Sequence, residues 1–205
     1  MEKTIDREVN RRKDSSMNKF NNLVIPILQN ECELFKNGYF ENVEGVRTNR
    51  NEIYDKQLCI DYIFHNHKRR NIYLASRCEY KSNLDETSMF CIRTKREYID
   101  SGRPSHDTEY IKILRNLKKG FLIPTYSIQS NLVFGNYMEI GIVNTEKLIE
   151  FMEKNLSSFK EIIKEDTNVI SGTRARFSLV PWDLLTKNNI DVLTYRVDVP
   201  YTIKK

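Results

Sequence analysis

Residues 57–64, QLCIDYIF, and residues 70–82, RNIYLASRCEYKS, decide how this chain is read. Both are rich in branched and aromatic residues, which suit a pleated, half-buried surface. The polar stretch 66–69 between them suits a turn. Two adjacent strands are expected. The first carries one acid, Asp61, with apolar residues on both sides. A carboxylate there is costly to bury unless it is paired or holds a cation. The second ends on Glu79, Tyr80 and Lys81. Alternate strand residues share a face. Ala75, Arg77, Glu79 and Lys81 therefore point one way, and Leu74, Ser76, Cys78 and Tyr80 the other. If the two strands pair, Asp61 is expected to meet Glu79 and Lys81 near one end of a sheet.

Working outward, residues 18–36 place Phe20, Leu23, Val24, Ile27, Leu28, Cys32 and Phe35 at helical spacing. Pro26 sets the start near residue 25, and Asn37-Gly38 supplies a stop. Residues 39–48 read as a weak strand and 48–51 as a loop. Residues 88–94, SMFCIRT, form a third strand that continues a meander with the first two. A loop spans 97–106. Asp107 caps a helix that runs to 119 and stops at Gly120. Strands follow at 125–134 and 137–143, joined by a turn at Gly135-Asn136. A helix at 145–155 comes next, then a second opened by the capping-box pattern Ser158 to Glu161. A short helix at 180–185 and a strand at 192–199 close the chain. The expected class is α/β (α+β), a central mixed sheet flanked by helices. Residues 1–16 read as a flexible charged tail and 17–205 as one domain.

Composition narrows the function classes. At 205 residues, with 11% aromatic content and only 7 Gly and 5 Pro, the chain is neither disordered nor of low complexity. No apolar run is long enough to span a bilayer and no secretory leader is visible, so a cytoplasmic location is expected. Cys32, Cys59, Cys78 and Cys91 lack metal or redox spacing and read as reduced, buried thiols. The net charge of +5 has one source: residues 61–120 carry 13 basic against 8 acidic groups, while the flanking segments balance. The excess gathers at Lys68, Arg69, Arg70, Arg93, Lys95, Arg96, Arg103 and Arg115 to Lys119. Clustered basic residues attract a polyanion through Coulomb attraction and counterion release.

Two carboxylates on adjacent strands offer hard oxygens to Mg²⁺ or Mn²⁺. Such an ion can bind a phosphodiester oxygen and acidify a bound water, while a lysine neutralises developing charge. The pattern Asp61…Glu79-x-Lys81 resembles the PD-(D/E)xK nuclease superfamily, over about residues 18–131. In that fold a helix precedes three strands, the acid lies on the second and the ExK triplet on the third; a helix and a further strand follow. Residues 132–205 would then be an elaboration. The proline that names the motif is absent, since Ile60 precedes Asp61. The resemblance implies a metal-dependent endonuclease acting on duplex DNA, of restriction or mobile-element type and possible as a homodimer. Asp61 and Glu79 would hold metal and Lys81 would assist the attacking water. Glu33 or Glu31 on the first helix, Glu33 being nearer its end, would be a further ligand, and Gln129 a polar residue after the second helix. Lys68, Arg69, Arg70, Arg77, Arg93, Lys95, Arg96, Arg115, Lys118 and Lys119 would grip phosphates.

Plainer readings stand beside these. Asp61 can be a structural acid paired with Arg77 or Lys81, and Glu79 and Lys81 a solvated strand face. Gln129 can simply satisfy hydrogen bonds. The run His65-Asn66-His67 sits at a turn and lacks the dispersed layout of an HNH nuclease. A nucleic-acid-binding protein without catalysis and a protein–protein module are the rival functions.

Overall fold

The computed structural model describes residues 17–43, 48–67, 70–81, 87–133, 137–166 and 172–199. A π-helical turn, Phe20–Val24, leads into α1, Ile25–Glu31, whose Pro26 sits at the helix start where its missing N–H costs nothing. Strand β1, Gly38–Asn42, is shorter than the sequence suggests. The stretch read as a loop holds α2, Asn49–Glu52, capped by the Thr48 side chain and continued by a π-turn at Ile53–Gln57. Strand β2 consequently starts at Tyr62, and β3 spans Ile72–Lys81. Strand β4, Met89–Tyr98, precedes α3, Glu109–Lys118. The α3 cap is Thr108, not Asp107; its hydroxyl accepts from the Ile111 N–H. Strands β5, Tyr126–Val133, and β6, Tyr137–Asn144, lead to α4, Thr145–Asn155. The turn at residues 135–136 lies outside the described residues.

The pattern at Ser158 does not open a helix. Its hydroxyl instead donates to the Asn155 carbonyl and closes a 3₁₀ turn, and the chain enters strand β7, Lys160–Asp166. Strand β8, Thr173–Pro181, then α5, Trp182–Lys187, and β9, Val192–Asp198, complete the chain.

The strands form two sheets. One has the order β1-β2-β3-β5-β6-β9, the other β4-β8-β7. In the first, β3 and β5 are parallel and every other pair is antiparallel. The expected three-strand continuation to β4 fails, because β4 leaves to pair with β8 and the parallel strand β5 takes its place. A parallel neighbour needs a crossover, and the segment carrying β4 and α3 is long enough to provide it.

Helix α1 covers one face of the large sheet, where Phe20, Val24, Leu28 and Phe35 pack on Tyr62, Phe64, Leu74 and Cys78. Helices α3, α4 and α5 close a second core with Phe90, Val143 and Trp182. All four cysteines are buried and outside any disulfide, as expected. A mixed sheet flanked by helices, with a second sheet beside it, is the expected α+β architecture.

Candidate functional site

Strand register places the acid. Tyr62 pairs with Leu74, and the Asp61 N–H donates to the Leu74 carbonyl at 2.8 Å. One step further along, Asp61 stands beside Ala75. Its carboxylate accepts from the Ser76 backbone N–H at 2.6 Å and the Ser76 hydroxyl at 3.3 Å. Glu79 is four residues beyond Ala75, about 13 Å along the strand at ~3.3 Å per residue. The expected meeting of Asp61 with Glu79 and Lys81 therefore does not occur. Strand β2 simply begins too late to flank the end of β3.

Glu79 and Lys81 do meet, at 2.8 Å. Arg77 approaches the same carboxylate at 3.7 Å and Lys164 of β7 at 3.9 Å. Burial alone would raise the Glu79 pKa, but Arg77 first, then Lys81 and Lys164, outweigh it and hold the carboxyl below the usual glutamate range. The second sheet covers this end of β3. Asp61 instead faces a cleft of about 330 Å³, floored by β3 and β5 and walled by β4 and α3. Arg77 and Gln129, register partners on the parallel pair, share that floor.

Arg77 donates to Glu109 at 2.8 Å and lies over the Phe177 ring, 5.2 Å from its centroid. Burial pulls the guanidinium's pKa down, but Glu109, and after it the Cys91 thiol and Glu79, hold it above arginine's ordinary value. Gln129 accepts from the Cys91 N–H and donates to Asn131, which is the hydrogen-bonding role expected of it. The Cys59 thiol, also in the cleft, is pushed up to about 12 by burial and secondarily by Glu109, so it is an inert thiol. At the mouth, Arg96 can only donate to His106 Nε2, which places the His106 proton on Nδ1, facing Ser105. Burial, then Arg96, Arg93 and Lys112, lower its pKa, the mark of a positive mouth.

Glu33 is displaced as a candidate ligand. It sits on the 3₁₀ turn after α1, 84% exposed, and pairs with Lys36. Helix α1 packs on the Leu74 and Cys78 face of β3, opposite to Glu79. Among the described residues, no group of three or more His, Cys, Asp or Glu is placed to hold a metal ion.

Many of the basic candidates have acidic or polar partners. Lys95 pairs with Glu97, Arg115 with Asp107 and Lys118 with Glu153. Arg96 donates to Thr173. Arg70 and Lys119 are exposed, and Lys68 and Arg69 lie outside the described residues. The Arg115–Asp107 and Lys118–Glu153 pairs are exposed; such pairs contribute at most about 1 kcal/mol, so phosphates can exchange into them. His65, discounted above, is in β2 and bonds Glu41 at 2.7 Å. Sequence reasoning missed Glu109 and Lys112, which α3 brings into the cleft; their i, i+3 spacing at the helix start was the available signal.

The Glu79 pairing predicts a pH response. A carboxyl held low in the folded state stabilises above its ordinary pKa, and that contribution is lost as pH falls through the folded value. Urea midpoints measured downward from neutrality should fall below the usual glutamate range. Glu79→Gln should start lower and show a shallower acid decline.

No helix of the described residues is long and apolar enough to cross a membrane. No family model matches the chain, and comparison with curated proteins and with solved structures gives no match.

Proposed function

We propose that this chain is a nuclease of the PD-(D/E)xK kind acting on DNA, with the cleft at Asp61 as its working site. One observation carries the reading. Apart from the short α2 between β1 and β2 and the inserted strand β4, which leaves for the second sheet, the chain runs helix, antiparallel β1-β2-β3, helix, then β5 parallel to β3, the order that the resemblance at Asp61 implies. The acid lies immediately before the second strand of that series and the cleft opens beside it.

The metal the resemblance implies fits less well. Asp61 and Glu79 are too far apart to share an ion whose oxygen ligands lie at about 2.1 Å. The cleft's own residues still supply parts of phosphodiester chemistry. Asp61, fixed by the Ser76 N–H, can orient an attacking water. Arg93 and Lys112 bring positive charge to the same space, where phosphate charge develops.

A second reading, binding without cleavage, is favoured by the neutralisation of Glu79 and Lys81 within an ion-pair network away from Asp61. Purified protein incubated with supercoiled plasmid in Mg²⁺, Mn²⁺ or EDTA, with a parallel gel shift, separates the two. Nicked or linear product supports the nuclease. A salt-steep shift with intact plasmid in every condition supports binding alone. Neither cutting nor shifting contradicts both.

A further inference from the structure

Arg93, in the cleft, is a cation that the ion pairs among the described residues do not explain. Arg93 points from β4 into the cleft, with its guanidinium 5.4 Å from the centroid of the Phe177 ring. Among the described residues no carboxylate lies within salt-bridge distance of it, and its buried Nε has no hydrogen-bond partner. The nearby carboxylates are engaged: Glu109 by Arg77, Asp107 by Arg115 and Asp61 by Ser76. Lys112, across the cleft, donates to the Lys56 carbonyl and to no described carboxylate. A largely buried, uncompensated charge is costly unless a counter-charge meets it.

The surrounding groups add to the positive potential. Arg77 lies over the same Phe177 ring, and Lys164 approaches it from β7 at 5.1 Å. The arginine, its guanidinium over an aromatic ring, carries a planar fork of N–H donors that matches tetrahedral oxyanions. Burial, and then the proximity of Arg77 and Arg96, lowers the Arg93 pKa despite Glu109, as expected for a cation short of counter-charge.

We propose that the cleft holds an anion subsite, with Arg93 as its principal donor and Lys112 as its second charge, and that the ligand class is a phosphate group. This deepens the reading above by assigning that phosphate to the DNA backbone, yet the subsite stands on its own geometry. The test uses low-millimolar inorganic phosphate against chloride at fixed ionic strength, read by thermal melting and calorimetry. The proteins are wild type, Arg93→Met, Arg93→Lys and the distant control Arg174→Met.

Phosphate should raise the wild-type melting point, with affinity falling at least about tenfold in Arg93→Met and less in Arg93→Lys. In chloride, Arg93→Met should melt at or above the wild-type temperature, because a buried charge is removed. A full phosphate response in Arg93→Met overturns the proposal. So does a wild-type response no larger than that in chloride. An Arg93-dependent phosphate response together with no action on DNA keeps the subsite and removes the nuclease reading. If Arg93→Met fails to fold, Arg93→Lys alone decides: an undiminished phosphate affinity there overturns the assignment.

Discussion

Gly141→Ala should destabilise the fold by about 2–3 kcal/mol, lowering the melting point by roughly 5–10 °C for a chain of this size. Gly141 lies in β6 between Gln129 of β5 and Thr194 of β9. The Trp182 ring, from the first turn of α5, rests directly on it. A Cβ there would fall 2.4 Å from Cε2 and 2.5 Å from Cζ2 of that ring. Those are sub-contact distances, so the indole must move, and it is 6% exposed within a core that includes Phe90 and Leu185. Trp182→Ala should cost more, about 3–5 kcal/mol, through the cavity it leaves. The two positions should couple. In a Trp182→Phe background, Gly141→Ala should cost under about 1 kcal/mol, because the smaller ring leaves room for a methyl. Chemical denaturation of the four proteins checks this, and additive costs would contradict the ring-on-glycine contact.

Arg77→Met should be the most damaging substitution in the cleft, costing about 2–4 kcal/mol. Removing one member of a buried pair leaves the other charges uncompensated. Here the loss strips Glu109 of its 2.8 Å partner and Glu79 of its largest favourable neighbour. Glu109 is 45% exposed and regains water, which keeps the cost below the top of the usual range. Glu109→Gln should cost about 1 kcal/mol, since Arg77 retains Glu79 and Phe177. The contrast with Arg93 is the informative part. Two arginines lie over one phenylalanine, but of the two only Arg77 has carboxylate partners among the described residues, so only its loss should destabilise the protein without ligand.

The same residues show what the sequence discloses and what it withholds. Period-two alternation in 70–82 assigned Leu74 and Cys78 to one face of β3 and Arg77, Glu79 and Lys81 to the other, and the structure has them so. Alternation carries no register, however. In a hairpin, partners lie equidistant from the turn, so a turn at 66–69 already sets residue 61 against 74 or 75. Weighing that turn would have removed Glu79 from the company of Asp61. The crossover was hidden for a different reason. The composition of β4 fits any pleated surface, and only its contacts with β8, some 80 residues later, take it from the large sheet. The capping box at 158 failed because the adjacent run 160–166 finds a ladder partner in β8, and tertiary pairing overrode a local signal. The ion pairing of the basic run was hidden because partners such as Lys118 and Glu153 are distant in sequence.

The proposed function puts the action on DNA at Asp61 in its cleft, and not at the Glu79 and Lys81 pair. Plasmid cleavage by Asp61→Asn and Glu79→Gln, measured side by side at matched folded fraction, tests it directly. Asp61→Asn should lose cleavage by at least about a thousandfold, and Glu79→Gln should stay within about tenfold of wild type. An equal loss in both would contradict it, and would mean that the two carboxylates work on one phosphate after all.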